Sequence, residues 1–301
     1  MKKNKISYVF LIIALVSFST YEVISKTIVG AINATQLTFI RFLVGGLFLL
    51  PFAISHIRKH QIRLNKNDWI QVLLLGVINV TFSMNLIQIG YRYTNANLSA
   101  IIISANPIFV ALFSSVLLKE RLTVKKIVGL IIGVCGVLIA MGGTGNFKNP
   151  SVQYGILLQV IGMLAFSLYT VLGKKTSLKI GSESMTALSD LFGAITILPI
   201  LLVQGIHPLS FQISNIWIQM IYICIGNTGI AFFLYFRALE KLDTSLGSMT
   251  FFVKPILACI IAAVFLKEEL SLQIVAGIVL VAIGIYLVLL ATQKKHTVIK
   301  S

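Results

Sequence analysis

Four ionisable side chains stand inside long apolar runs of this sequence: Glu22, Arg41, Asp190 and Lys254. Their formal charges cancel. A charge at the centre of a lipid-crossing helix costs at least ~2.5 kcal/mol for Arg, Lys or Asp, so such residues persist where they pair, meet a ligand or pass an ion. Counting helical rise, Glu22 and Arg41 lie roughly 6 and 9 Å below one surface, Asp190 roughly 9 Å below the other, and Lys254 near the midplane. These depths predict that Glu22 and Arg41 pair at an outer gate, with Asp190 and Lys254 on the inner side of a site. The flexible ammonium of Lys254 suits a point contact with an anionic group on a ligand, or alternation between that group and Asp190. The same four residues also read as two static ion pairs that orient helices, with Glu22 and Arg41 snorkelling to the interface.

Uncharged polar residues in the same runs extend the candidate site. Pro107 and Pro255 remove a backbone donor at mid-membrane, which loosens each helix and frees a carbonyl; a packed kink is the plainer reading. Asn106, beside Pro107, could offer its amide to a ligand. Asn85 and Gln88 are three apart and share a helix face. Asn79 and Asn227 read as interhelical hydrogen-bonding groups. Tyr21 and Tyr169 could wall a cavity, or simply pack. The three cysteines, Cys135, Cys224 and Cys259, each lie in an apolar run and read as packing residues, with no disulfide, metal or cofactor expected.

The elements that must position these groups follow from hydropathy. Of 301 residues, 57% are hydrophobic and 11% charged, and the mean hydropathy is +0.95. Runs of roughly 20 apolar residues, the length that crosses a bilayer, follow one another from end to end. They predict spans over residues 6–27, 35–55, 69–90, 96–118, 125–143, 154–174, 184–204, 216–236, 244–266 and 272–291. The net charge of +16 does not point to nucleic acid, because its cations sit in the short loops between spans. With the first residue inside, 19 Lys and Arg fall on the cytoplasmic side and 4 on the other. That bias places both termini in the cytoplasm of a multi-pass cell-membrane protein.

A constant offset of 148 residues relates the two halves. Phe18, Tyr21 and Lys26 meet Phe166, Tyr169 and Lys174; Trp69-Ile70-Gln71 meets Trp217-Ile218-Gln219; Pro107 meets Pro255; Leu118-Lys119-Glu120 meets Leu266-Lys267-Glu268. Matches of Trp, Pro and a Lys-Glu pair at one spacing are not a product of shared apolarity. The chain therefore divides into a five-helix unit at 1–148 and a second at 149–301. Five is odd, so the second unit enters the membrane from the opposite face. The predicted fold is all-α, ten transmembrane helices in two inverted repeats, an arrangement typical of secondary transporters with a site between the halves.

The chain resembles the EamA family of the drug/metabolite transporter superfamily. The resemblance rests on Thr38-Phe39-Ile40-Arg41-Phe42, on Asn106-Pro107 followed by Leu118-Lys119-Glu120-Arg121-Leu122-Thr123, and on their second-half counterparts Lys254-Pro255 and Leu266-Lys267-Glu268-Glu269-Leu270-Ser271. It implies export or import of amino acids, nucleosides, sugars or similar metabolites, without ATP hydrolysis; with Lys254 near the midplane, the expected substrate is a small metabolite, an amino acid or similar, anionic or zwitterionic. It also implies a central cavity lined mainly by spans 1–4 and 6–9, with spans 5 and 10 as scaffold. Lys254 and Glu22 depart from the commoner family pattern, where uncharged residues stand. A small-molecule substrate and membrane lipid are the expected partners, a proton carried on Glu22 or Asp190 a further one, and a monomer the expected state. A non-transporting sensor, a channel and a membrane enzyme are the alternatives. The enzyme lacks support: His56, His60, His207 and His296 fall in loops or tails, and no metal or nucleophile motif occurs. Lys119-Glu120 and Lys267-Glu268 read as tight-turn chemistry at helix ends.

Overall fold

The computed structural model describes residues 2–26, 28, 31–94, 102–140, 149–210, 216–254, 256–257 and 272–298; within these, the side chains at 2–4, 22, 23, 25, 26, 140, 274, 289 and 292–298 fall outside the description. Every regular element among the described residues is a helix, with no strand. The helices are α1 (Lys2–Lys26), α2 (Ala34–Lys59), α3 (Lys66–Gly90), α4 (Asn106–Leu117), α5 (Val124–Ala140), α6 (Pro150–Ile180), α7 (Ser182–Val203), α8 (Trp217–Leu239), α9 (Thr244–Ser248, with 250–254 also helical) and α10 (Leu272–Val298). Five of them, α2, α3, α6, α7 and α8, are long and apolar enough to cross a membrane; Lys5–Tyr21, Ile102–Leu117 and Val275–Val288 are shorter apolar stretches.

Helix ends are set by local chemistry that hydropathy does not see. Asn33 opens α2, its side chain accepting from the Thr35 amide at 2.9 Å while Gln36 reaches back to the Asn33 amide. Asn65 and Asp68 form the same reciprocal cap on α3. Asn149 caps α6 ahead of Pro150, which suits a first helical position because its missing N–H has no partner there. α6 runs six residues past its expected apolar end, carrying Lys174, Lys175 and Lys179 into the surface region, and α2 likewise carries His56, Arg58 and Lys59 as helix, so His56 is not in a loop.

Two features mark a lipid environment. Large apolar side chains such as Ile12, Phe52, Leu157, Ile195 and Tyr286 are exposed all round the bundle, far more than a soluble monomer leaves uncovered. Second, several helix pairs approach through glycine, the mode used where lipid removes the hydrophobic driving force. α5 and α10 pack along each other. A Cβ at Gly129 would lie 2.7 Å from the Gly284 carbonyl, and one at Gly136 would lie 2.9 Å from the Gly277 carbonyl. α7 lies along α2 and against α3. There a Cβ at Gly76 would sit 2.4 Å from the Ser189 carbonyl and 2.6 Å from the Gly193 amide. Backbone faces backbone, so nothing can rotate away. Gly76→Ala is expected to destabilise by about 1–3 kcal/mol as α3 and α7 are forced apart. Gly226→Ala, whose Cβ would meet nothing nearer than 3.5 Å, should leave the melting temperature in detergent unchanged.

A buried aromatic cluster joins α1, α6, α8 and α9 through Phe18, Phe166, Tyr169, Phe232, Tyr235 and Phe251. It forms one wall of the cleft described next.

Candidate functional site

A partly open cleft, with about 70 Å³ reachable by the centres of water molecules, lies among α1, α2, α3, α4, α6, α8 and α9. It gathers Tyr21, Arg41, Gln88, Asn106 and Lys254 from the sequence expectations. Residues from both halves line it, and α5 and α10 contribute none among the described residues.

Arg41 is 2% exposed. Its guanidinium carbon lies 4.8 Å from the Tyr21 ring centre and 4.7 Å from that of Phe42. Its Nε and Nη2 have no hydrogen-bond partner among the described residues. Contact with aromatic faces contributes about 0.5–2 kcal/mol, whereas desolvating a cation costs several. The rings alone do not offset the burial. Glu22, the partner expected for Arg41, has its side chain outside the described residues, as does Pro255 entirely.

The Tyr21 hydroxyl accepts from Gln88 Nε2 at 2.7 Å, which fixes the ring under Arg41. Asn106 donates through Nδ2 to Ser167 Oγ at 2.7 Å, a bond between the halves, and its Oδ1 has no partner among the described residues. Pro107 sits in the first turn of α4, just past a break at Ala105, not in a helix middle. There its missing N–H costs little, while Ile103, four residues upstream and on the cavity wall, is left without the usual helical bond to its carbonyl. Lys254 lies half-buried on the α9 wall.

Three expected residues stand away from the cavity. Asn85 is buried and accepts from Thr35 Oγ1 at 3.2 Å. Tyr169 is fully buried, its ring edge-on to Phe236 at 5.2 Å. Asp190 is fully buried on α7, and neither carboxylate oxygen accepts a hydrogen bond among the described residues. Arg41 lies within its electrostatic reach. Arg41 comes within that reach because α2 and α7 pack along each other. α7 lends no lining residue among those described, its small face being spent on α2 and α3.

Other groups at the cavity were not singled out as a site from sequence. Asn227 lines it and donates to the Ser17 carbonyl on α1 at 2.8 Å, the interhelical bond expected of it. It lies on a π-helical stretch, Tyr222–Ala231, and α3 carries another, Val77–Met84. Wide turns of this kind cluster at functional sites, and no residue signature announces them.

A second constellation closes one end of the molecule. The carboxylate of Glu120 accepts from Lys174 Nζ at 2.8 Å, from Thr244 Oγ1 at 2.7 Å and from the Thr244 amide. Lys174 also donates to the Leu242 carbonyl at 2.7 Å. Lys126 holds both oxygens of Asp243 at 2.9 and 2.8 Å. Lys179 pairs with Asp68, and His56 and Arg237 each approach Glu183 at 3.6 Å. Glu120, Lys126, Asp68 and His56 belong to the first half; Lys174, Thr244, Asp243, Lys179 and Glu183 belong to the second. Lys119-Glu120 thus does more than shape a turn. Burial alone would raise the Glu120 carboxyl, but the Lys174 charge and the hydrogen bonds from Lys174 and Thr244 outweigh it and hold it at about 2. Acid scarcity is the signal that could have found this set: with Glu240, which accepts from the Ser182 amide, five of only nine Asp and Glu residues sit at this end.

Apolar helices around a largely apolar cleft that holds two cations and a few amides define an integral membrane protein of the transporter class. The chain belongs to the EamA-like transporter family, whose profile matches residues 5–142 and again 153–290. It is similar to an uncharacterised transporter of Clostridium kluyveri, at 30% identity over 94% of this chain and 92% of that one. It is also similar to the uncharacterised transporter YetK of Bacillus subtilis, at 26% identity over 98% of this chain and 90% of that one. A solved crystal structure superposes with a TM-score of 0.79 at 19% identity, covering 96% of this chain and 98% of its own, and speaks for the fold alone.

Proposed function

We propose that this chain is a secondary transporter that moves a small anionic or zwitterionic metabolite, an amino acid or similar, across the cell membrane by alternating access. The observation that carries the reading is the cavity itself: it lies between the halves, draws residues from both, and holds Arg41 and Lys254 beside neutral amides. The ten-span inverted repeat is part of the same reading. The family profile matches twice, each end of the second match lying 148 residues beyond the first, the offset at which the two halves align. Charge bias puts both termini, and the ion-paired end of the bundle, in the cytoplasm. On that orientation the Glu120, Asp243 and Asp68 pairs hold the inner side closed, and they must break when the halves rock open. One chain encloses the cavity, so a monomer suffices.

Counterflow in proteoliposomes tests this. Preloading with the substrate should accelerate uptake of labelled substrate, and the rate should saturate. Lys254→Met is expected to lower uptake at least about ten-fold, equivalent to ~1.4 kcal/mol, with normal membrane expression. Conductance without saturation would make the chain a channel, and epitope tags reachable from opposite faces would end the inverted-repeat reading.

A further inference from the structure

We infer that Arg41 is the anchor for a carboxylate, and that the molecule this cavity takes is an organic acid with an apolar body. The inference rests on the carrier reading and narrows its substrate class. Arg41 lies on the cavity wall, almost wholly buried, with two guanidinium nitrogens, Nε and Nη2, lacking hydrogen-bond partners among the described residues. Asp190, the charge nearest in effect, accepts no hydrogen bond from it. A guanidinium offers a rigid planar fork that fits a carboxylate with two parallel bonds. Stacked against Tyr21, which Gln88 holds in turn, the fork is fixed in orientation before anything binds. A site built this way loses little freedom on binding.

Apart from the ammonium of Lys254, which also favours an anion, the rest of the cavity suits an apolar body. Phe18 meets Phe232 edge-on at 5.1 Å, and Phe166 meets Phe251 at 5.3 Å. These four rings form a continuous apolar wall. Asn106, with Oδ1 unpartnered among the described residues, Gln88 and Asn227 are the neutral amides on the wall. None of the described lining side chains is acidic. A sugar would meet too many rings and too few hydroxyl partners, and an organic cation would meet Arg41 and Lys254.

The test uses the full-length protein purified in detergent. Its melting temperature is followed with phenylacetate, hexanoate and phenylalanine, each beside its primary amide, and with phenethylamine. At about one hundred times its dissociation constant, a bound acid should raise the melting temperature by roughly 5 °C. The matched amides and the amine should leave it unchanged. Arg41→Gln should abolish the shift, and Arg41→Lys, which keeps charge but loses the fork, should reduce it. Equal shifts from acid and amide, a shift retained in Arg41→Gln, or no shift from any acid would overturn the inference. The comparison of acid with amide in the unaltered protein does not depend on either variant folding. Flux is measured separately in liposomes: transport of a neutral or cationic compound without acid-specific stabilisation defeats the Arg41 anchor and leaves the carrier standing. Acid-specific stabilisation without flux does the reverse.

Discussion

Replacing Glu120 by Gln is expected to cost about 3 kcal/mol of stability at neutral pH, and replacing Lys174 by Met a similar amount, while the double variant costs distinctly less than their sum. Each single change strands a buried partner: the side chains of Lys174 and Glu120 are only 10% and 11% exposed. Removing both leaves no orphan charge. The cycle is read from melting temperatures in detergent. Additive losses would mean that the two charges do not act as a pair. The pH dependence follows from the same bond. Folded, the Glu120 carboxyl holds its charge down to about 2, against 4.5 for a free glutamate. Its contribution is therefore complete above about pH 4.5 and fades as pH falls toward 2, the unfolded chain taking up the proton first. Glu120→Gln should flatten that acid limb. If the variant melts with the same acid dependence as the parent, another carboxylate is responsible.

Why this pair escaped the sequence while the spans did not is a matter of range. Span positions are local quantities, so the expected 69–90 and 184–204 fall close to α3 and α7. Ends move where polar residues continue the helix, as Lys174, Lys175 and Lys179 do in α6. The partner of Glu120 lies 54 residues away and that of Lys126 lies 117 away. No local pattern encodes such pairings. Depth counting had the same reach. It put Arg41 and Lys254 well inside the membrane, and both line the cavity, but depth alone does not say which helices touch. Which helices touch is decided by small residues: Gly46, packed against Leu191, and Gly76, packed against Ser189 and Gly193, bring α7 onto α2 and α3. Asn85 and Gln88 show the limit of face arguments. Three residues apart, they divide between a buried bond to Thr35 and the cavity wall.

Asp190→Asn is expected to leave the melting temperature unchanged or raise it, and to reduce transport at least ten-fold (about 1.4 kcal/mol). A fully buried carboxyl group whose oxygens find no hydrogen bond among the described residues is a cost to folding. The amide has nearly the same volume and no charge to desolvate, so α7 should repack without loss. Residues that lower stability are commonly kept because function needs them. Asp190 stands within the electrostatic reach of Arg41, and Arg41 lines the cavity. A proton taken or released at Asp190 would change the net charge around the always-cationic Arg41 that a substrate meets, which is what coupling to a proton gradient requires. Uptake by proteoliposomes, measured with and without an imposed pH gradient, separates the roles. Loss of the gradient response with the fold intact assigns coupling to Asp190. A variant that loses about 3–5 kcal/mol of stability, with flux falling only as folded protein falls, would instead make Asp190 one half of a structural pair with Arg41.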